Sequence, residues 1–161
     1  MLKINSSKLQ KGFTLIELLV VIGILAILLA VTLIAINPAR QFSQANNTQR
    51  RSDVNAILNA VHQYMADNNG TPPAGIDTTV RTITDAGGLT DVDLCVALVS
   101  TYIADLPLDP QTGTEAPASS VCTDALANYD TQYTVVQSVG DNRITVAAPD
   151  AELGEVITVT R

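Results

Sequence analysis

Lysine is missing from the sequence beyond residue 11: Lys3, Lys8 and Lys11 are the only three in 161 residues. Histidine occurs once, as His62, and cysteine twice, as Cys95 and Cys122. A lone histidine with nothing paired to it leaves no acid–base couple, no GxSxG turn offers a nucleophile, and no His/Cys cluster has metal-ligand spacing. The sequence therefore carries no recognisable active site, and no enzyme is expected. The lysine gap also makes the charge one-sided. Residues 13–161 hold six arginines against sixteen acids, a net −10. An acidic body lacks the basic field that nucleic-acid binding requires, so no direct nucleic-acid partner is expected.

What is present is concentrated. Residues 13–36 read FTLIELLVVIGILAILLAVTLIAI, with Glu17 as the single charge. A helix of that length rises about 36 Å, enough to cross a hydrocarbon core of about 30 Å with some tilt. The rest of the chain is too small to wrap such a helix as a soluble core. The three lysines precede the run, which keeps the N-terminus cytoplasmic and sends the remainder outward. A secretory signal has a shorter apolar core and a small-x-small cut site; this run ends instead in Ile36-Asn37-Pro38. A plain uncleaved anchor fits the length, but it explains neither Gly12 at the border of charge and apolarity nor the carboxylate five positions later.

The segment Lys11-Gly12-Phe13-Thr14-Leu15-Ile16-Glu17-Leu18-Leu19-Val20-Val21 resembles the processing motif of type IV prepilins and of the pseudopilins of type II secretion. The resemblance covers residues 8 to about 69. It implies cleavage between Gly12 and Phe13 by an integral-membrane prepilin peptidase/methyltransferase, and N-methylation of Phe13. It further implies assembly through Glu17, whose carboxylate would meet the Phe13 amine of a neighbouring subunit. A carboxylate inside a spanning helix is a functional hypothesis in its own right. The partners implied are identical or related pilin subunits, an inner-membrane assembly platform and, before assembly, membrane lipid. The precursor is then a single-pass protein of the inner (cytoplasmic) membrane, and the assembled filament is extracellular or periplasmic.

Pro38 interrupts the helical pattern, since proline lacks the donor and clashes with the preceding turn. Family filaments unwind between a small residue and such a proline, which places Gly23–Pro38 beside a simple kink as alternatives. Beyond Pro38 the pattern is helical to about Asn69, with Val54, Ile57, Leu58, Val61 and Met65 on one apolar stripe and Gln49, Arg50, Asp53, Asn59 and Gln63 opposite. Arg40, Arg50 and Arg51 form a cluster open to inter-subunit salt bridges, to lipid head groups or to solvent. Asn68-Asn69-Gly70 supplies the stop.

Residues 70–130 read as a loop-rich connection with a short strand at Val80–Ile83 and a short helix capped by Thr90-Asp91. Residues 102–110 resemble the proline-bearing loop that precedes the sheet in major pseudopilins. Three strands follow at Tyr133–Gln137, Arg143–Ala148 and Val156–Thr160, joined as an antiparallel meander over residues 131–161. The fold class expected is α+β and pilin-like: a long N-terminal helix whose second half packs on a small C-terminal antiparallel sheet. The domains expected are a cleaved leader (1–12), a membrane or filament-core helix (13–36), its amphipathic continuation (37–69) and an exported domain (70–161). Cys95 and Cys122 both lie in the exported part, where a disulfide persists; the bridge is expected there. Some pseudopilins bind calcium, and Asp91-Val92-Asp93, Asp141 and Asp150-Ala151-Glu152 offer oxygens. None has the ligand spacing of a calcium loop, so no metal ligand is assigned and no cofactor is expected. The leading function is a structural filament subunit. A secretion pseudopilin and a membrane-anchored extracellular binding domain that never polymerises are the alternatives.

Overall fold

The computed structural model describes residues 12–85, 87–116, 122 and 128–161. The basic leader with Lys3, Lys8 and Lys11 lies outside them. The chain divides into two units between Gln41 and Phe42, and each is described by itself.

The first unit is dominated by helix α1, Leu15–Ile36, which carries no buried residue. Gly23 sits inside it without a break, so the helix is continuous up to Ile36. The interruption is confined to two residues. Asn37 takes a left-handed conformation (φ 47°), which asparagine tolerates better than other side chains. Pro38 then opens helix α2, Pro38–Asp67, at the first position, where its missing N–H is not needed.

The second unit packs most of α2 on a mixed sheet. Its strands are β1 (Arg81–Thr84), β2 (Asp91–Val92), β3 (Thr114–Ala116), β4 (Asn128–Gln137), β5 (Ile144–Ala148) and β6 (Ile157–Thr160), with a single-turn helix α3 at Cys95–Leu98. The spatial order is β2-β1-β4-β5-β6, and β3 also pairs with β4. The C-terminal meander β4–β5–β6 is antiparallel, as the alternation predicts. The sheet is larger than the three-stranded meander expected: the short strand expected at Val80–Ile83 joins it as β1, the rest of the stretch read as a connection adds β2 and β3, and β1 and β2 run parallel. The helix expected after Thr90-Asp91 is displaced. Asp91 is in a strand, and it is Asp93 whose Oδ1 accepts from the N–H of Cys95 at 2.8 Å and from the Tyr129 hydroxyl at 2.8 Å.

Val54, Ile57, Leu58 and Val61 of α2 are fully buried and share one core with Ile83, Tyr133, Val135, Ile144, Val146 and Ile157. α2 stops where the Gly70 N–H reaches back to the Met65 carbonyl at 2.7 Å, with Asn69 and Gly70 both at positive φ; this satisfies carbonyls that the helix end leaves bare.

One correction concerns the polar side of α2. Arg50 and Asp53, placed opposite the apolar stripe, are buried, as is Asn47. The Arg50 guanidinium is fully buried; its Nε and Nη2 donate to Asp109 at 2.6 and 3.0 Å, and its Nη1 donates to Glu152 at 3.1 Å and to Asn47 at 3.1 Å. Asp53 accepts from the Tyr133 hydroxyl and from Gln49, both at 2.8 Å. Asp109 also caps its own loop, accepting from the N–H groups of Gln111 and Thr112. Gly113 is required there, because a Cβ would lie 2.6 Å from the Asp109 nitrogen.

Burial pushes the Asp109 carboxyl up, but Arg50 and the two N–H groups outweigh it and hold the group down at about 2, against an ordinary 3.8. An acid with a depressed folded value adds stability above its unfolded value and loses it as pH falls through the folded one. The second unit is thus expected to lose urea resistance between about pH 4 and pH 2. Asp53, raised chiefly by burial, works in the opposite sense. Asp109→Asn should flatten that acid limb. Arg50→Ala leaves a buried carboxylate without its cation and should destabilise by about 3–5 kcal/mol in denaturant titration.

Cys95 and Cys122 are joined by a disulfide, with Cα atoms 5.3 Å apart and a sequence separation of 27. Cross-linking that stretch restricts the unfolded chain. Reduction, or the double Cys→Ser variant, should lower unfolding free energy by about 3 kcal/mol.

Candidate functional site

The residues that open α1 form the site of interest. Gly12, Phe13 and Thr14 precede the helix in non-helical backbone and are solvent-exposed, Phe13 by 83%. Nothing lies within 4 Å of where a Gly12 side chain would begin, so the chain is open on that side of Gly12.

Thr14 is the N-cap. Its backbone lies in the extended region (φ −81°, ψ 153°), and the Glu17 N–H donates to its hydroxyl oxygen at 3.3 Å. Glu17 returns the contact: its Oε2 accepts from the Thr14 N–H at 2.8 Å and from the Thr14 hydroxyl at 2.8 Å. This reciprocal capping box satisfies donors that the helix start would leave bare. An acid in the first turn also suits the positive end of the helix dipole. Both Thr14 bonds fall on Oε2, and Oε1 has no protein donor among the described residues. Phe13, Ile16, Glu17, Val20 and Val21 line a shallow, mostly apolar cleft on this end of the helix. The carboxylate is therefore held by its own helix with one oxygen open, beside an apolar cleft.

Thr14 has no role in the expectations drawn from the motif. Its signal is nevertheless in the sequence: Thr-x-x-Glu ahead of an apolar run is the capping-box pattern. The arginine cluster does not hold together. Arg50 is the buried hub described above, Arg51 pairs with Glu155, and of the three only Arg40 stands at an exposed position without a side-chain ion pair among the described residues. No group of three or more His, Cys, Asp or Glu side chains among the described residues has a metal-holding arrangement. Asp91 accepts from the Gly88 N–H, Asp93 is tied to Tyr129, and Glu152 to Arg50. His62 lies on α2, partly buried, and its Nε2 has no hydrogen-bond partner among the described residues.

Residues 7–33 match the family profile of the prokaryotic N-terminal methylation motif, the signature of type IV pilins and pseudopilins. No curated protein and no solved structure matches the chain. The chain carries the N-terminal signature of a type IV pilin- or pseudopilin-type precursor, joined to an α+β body with a long N-terminal apolar helix. That signature belongs to structural precursors and not to an enzyme family.

Thr14→Val removes the hydroxyl but not the bulk, and should cost the start of α1 about 1 kcal/mol. Amide hydrogen exchange of residues 15–18 in detergent micelles is expected to accelerate, with exchange near Val31 unchanged.

Proposed function

We propose that the chain is the precursor of a filament subunit. It is cut after Gly12, N-methylated at Phe13 by the same membrane peptidase, and polymerised through α1 with identical or related subunits. The observation that carries this is an apolar helix of 22 residues, none of them buried among the described residues, with its one acid fixed beside the cut site. Cleavage turns the Phe13 nitrogen into an amine next to Thr14, the residue that holds Glu17. In a bundle of such helices the open Oε1 of Glu17 accepts that amine from a neighbour. Opposite charges at about 4 Å in a medium of intermediate dielectric attract strongly enough to offset removal from water. Before assembly the subunit waits in the membrane, spanning it once; an assembly platform then lifts it out. No cofactor enters the scheme.

A type II secretion pseudopilin uses the same N-terminal geometry. The loop at 102–110, which resembles that of major pseudopilins, favours it as a second reading, and electron micrographs of long surface fibres against short periplasmic stubs decide between them.

The test is co-expression with a prepilin peptidase. Wild type is expected to lose residues 1–12 by mass, and Gly12→Val to keep them. Glu17→Val is expected to be cut normally yet to release no filaments on shearing. Normal filaments from Glu17→Val would refute the pairing, and an uncut wild type would leave a simple membrane anchor.

A further inference from the structure

The loop between β5 and β6 breaks a local rule. Glu155 N–H bonds back to the Glu152 carbonyl at 3.2 Å, and the two residues between, Leu153 and Gly154, both have positive φ (59° and 70°). That is the pattern of a type I′ turn, whose first central position favours asparagine, aspartate or glycine. A bulky leucine at positive φ is an outlier, and such strain persists only where the surroundings over-determine it. Here they do. Glu152 is clamped by side chains of α2: its carboxylate takes Ser43 at 2.8 Å, Asn46 at 3.0 Å and Arg50 at 3.1 Å, while Asn47 bonds both its N–H and its carbonyl at 2.9 Å.

The strained turn presents apolar side chains to solvent. Leu153 is 49% exposed and Val156 is 86% exposed. Phe42, 71% exposed, lies next to Ser43 and one helical turn before Asn46, both of which touch Glu152. The acids around this edge are tied down: Glu152 by Arg50, Glu155 by Arg51, and Asp150 accepts from the Thr112 hydroxyl at 2.6 Å. Arg50 and Arg51 thus partly offset the acidic charge where these apolar groups protrude.

Chain length names the occupant. Phe42 follows the last residue of α1 by six positions, and six residues fully extended reach about 20 Å. While α1 spans a bilayer, that tether keeps Phe42 within about 20 Å of the hydrocarbon edge and so brings the loop clamped beside it near the same membrane. We infer that Phe42, Leu153 and Val156 dock into the headgroup–acyl boundary of the membrane that holds α1. They form a foot by which the exported body rests on the bilayer before assembly. Exposed aromatic and aliphatic groups are stabilised in that boundary in proportion to the apolar area they bury. The inference rests on the membrane-anchored reading above.

The sequence contains no tryptophan, so single tryptophans serve as depth probes. The full-length chain is reconstituted in phosphatidylcholine/phosphatidylglycerol vesicles as Phe42→Trp, as Leu25→Trp within the span, and as Val96→Trp, a 95% exposed position on α3. The tryptophan at 42 is expected to shift to the blue, to lose most of its emission to lipids brominated high on the acyl chain, and to resist acrylamide. The one at 96 should behave as in water. Adding Leu153→Asn to Phe42→Trp relieves the turn and should raise the unfolding midpoint, yet it should restore acrylamide access at 42. If 42 is as accessible as 96 while 25 is quenched by deep bromines, the foot is refuted and the anchor stands. If 25 is not quenched, both fail. Protection at 42 that appears only at high protein-to-lipid ratio assigns the patch to a second copy and overturns lipid docking.

Discussion

None of the 22 residues of α1 is buried among the described residues, and that constraint shapes everything else. In water such a surface drives aggregation, so the helix needs another apolar environment at every stage of the protein's life. Lipid supplies one. Under the proposed assembly a bundle of like helices supplies another, and movement from the first to the second keeps the apolar area out of water throughout. What distinguishes the two in the proposed filament is polar: the hydrocarbon core offers no cation to a carboxylate, whereas a bundle of cleaved helices would bring one per subunit. Thr14 matters because it gives Glu17 a provisional partner on one oxygen and leaves the other open. A fully satisfied acid would have little to gain from assembly, and a bare one would disfavour insertion.

The second unit is held by different physics. Its apolar core is modest, and a fully buried guanidinium joins three stretches that share no backbone pairing: α2, the loop around Asp109 and the turn at Glu152. Buried ion pairs add little net stability compared with a well-packed apolar substitute, but removing one partner is expensive. Arg50 therefore acts less as glue than as a specification of which loops sit against α2. The Asp53–Tyr133 bond has a similar effect one turn further on.

Much of this is legible in the sequence, and the departures have physical causes. The length of α1, the start of the motif and the β4–β5–β6 meander follow from period and composition, because each is a repetitive pattern with one dominant driving force. Arg50 and Asp53 read as solvent-facing since charge is normally excluded from cores, and nothing local reveals partners 59 or 102 residues away. The first five residues of β4 keep the strand's burial alternation, with Tyr129 and Thr131 facing inward, but Asn128, Asp130, Thr131 and Gln132 are too polar to read as a core-facing strand. The buried face there includes Thr131, whose hydroxyl bonds to the Ile83 carbonyl at 2.8 Å. β1 and β2 gain their partners only through β4 and each other, a non-local pairing that short polar segments do not announce. The capping box is the opposite case: a four-residue signal wholly local to the sequence, overshadowed by the cut site beside it.

The distance in sequence between Arg50 and its partners also sets an order of events. A ribosome delivers α2 long before the turn at Glu152, which follows Arg50 by 102 residues. Until that turn arrives, the cation on the inward face of α2 lacks its Glu152 acceptor, leaving Asn47, Asp109 and Gln111, and β6 has not yet paired with β5. Contacts of this span close late, after the loop entropy of the intervening chain has been overcome. The body therefore does not grow outward from its helix as synthesis proceeds. Its Arg50 hub is complete only once the turn at Glu152 is in place.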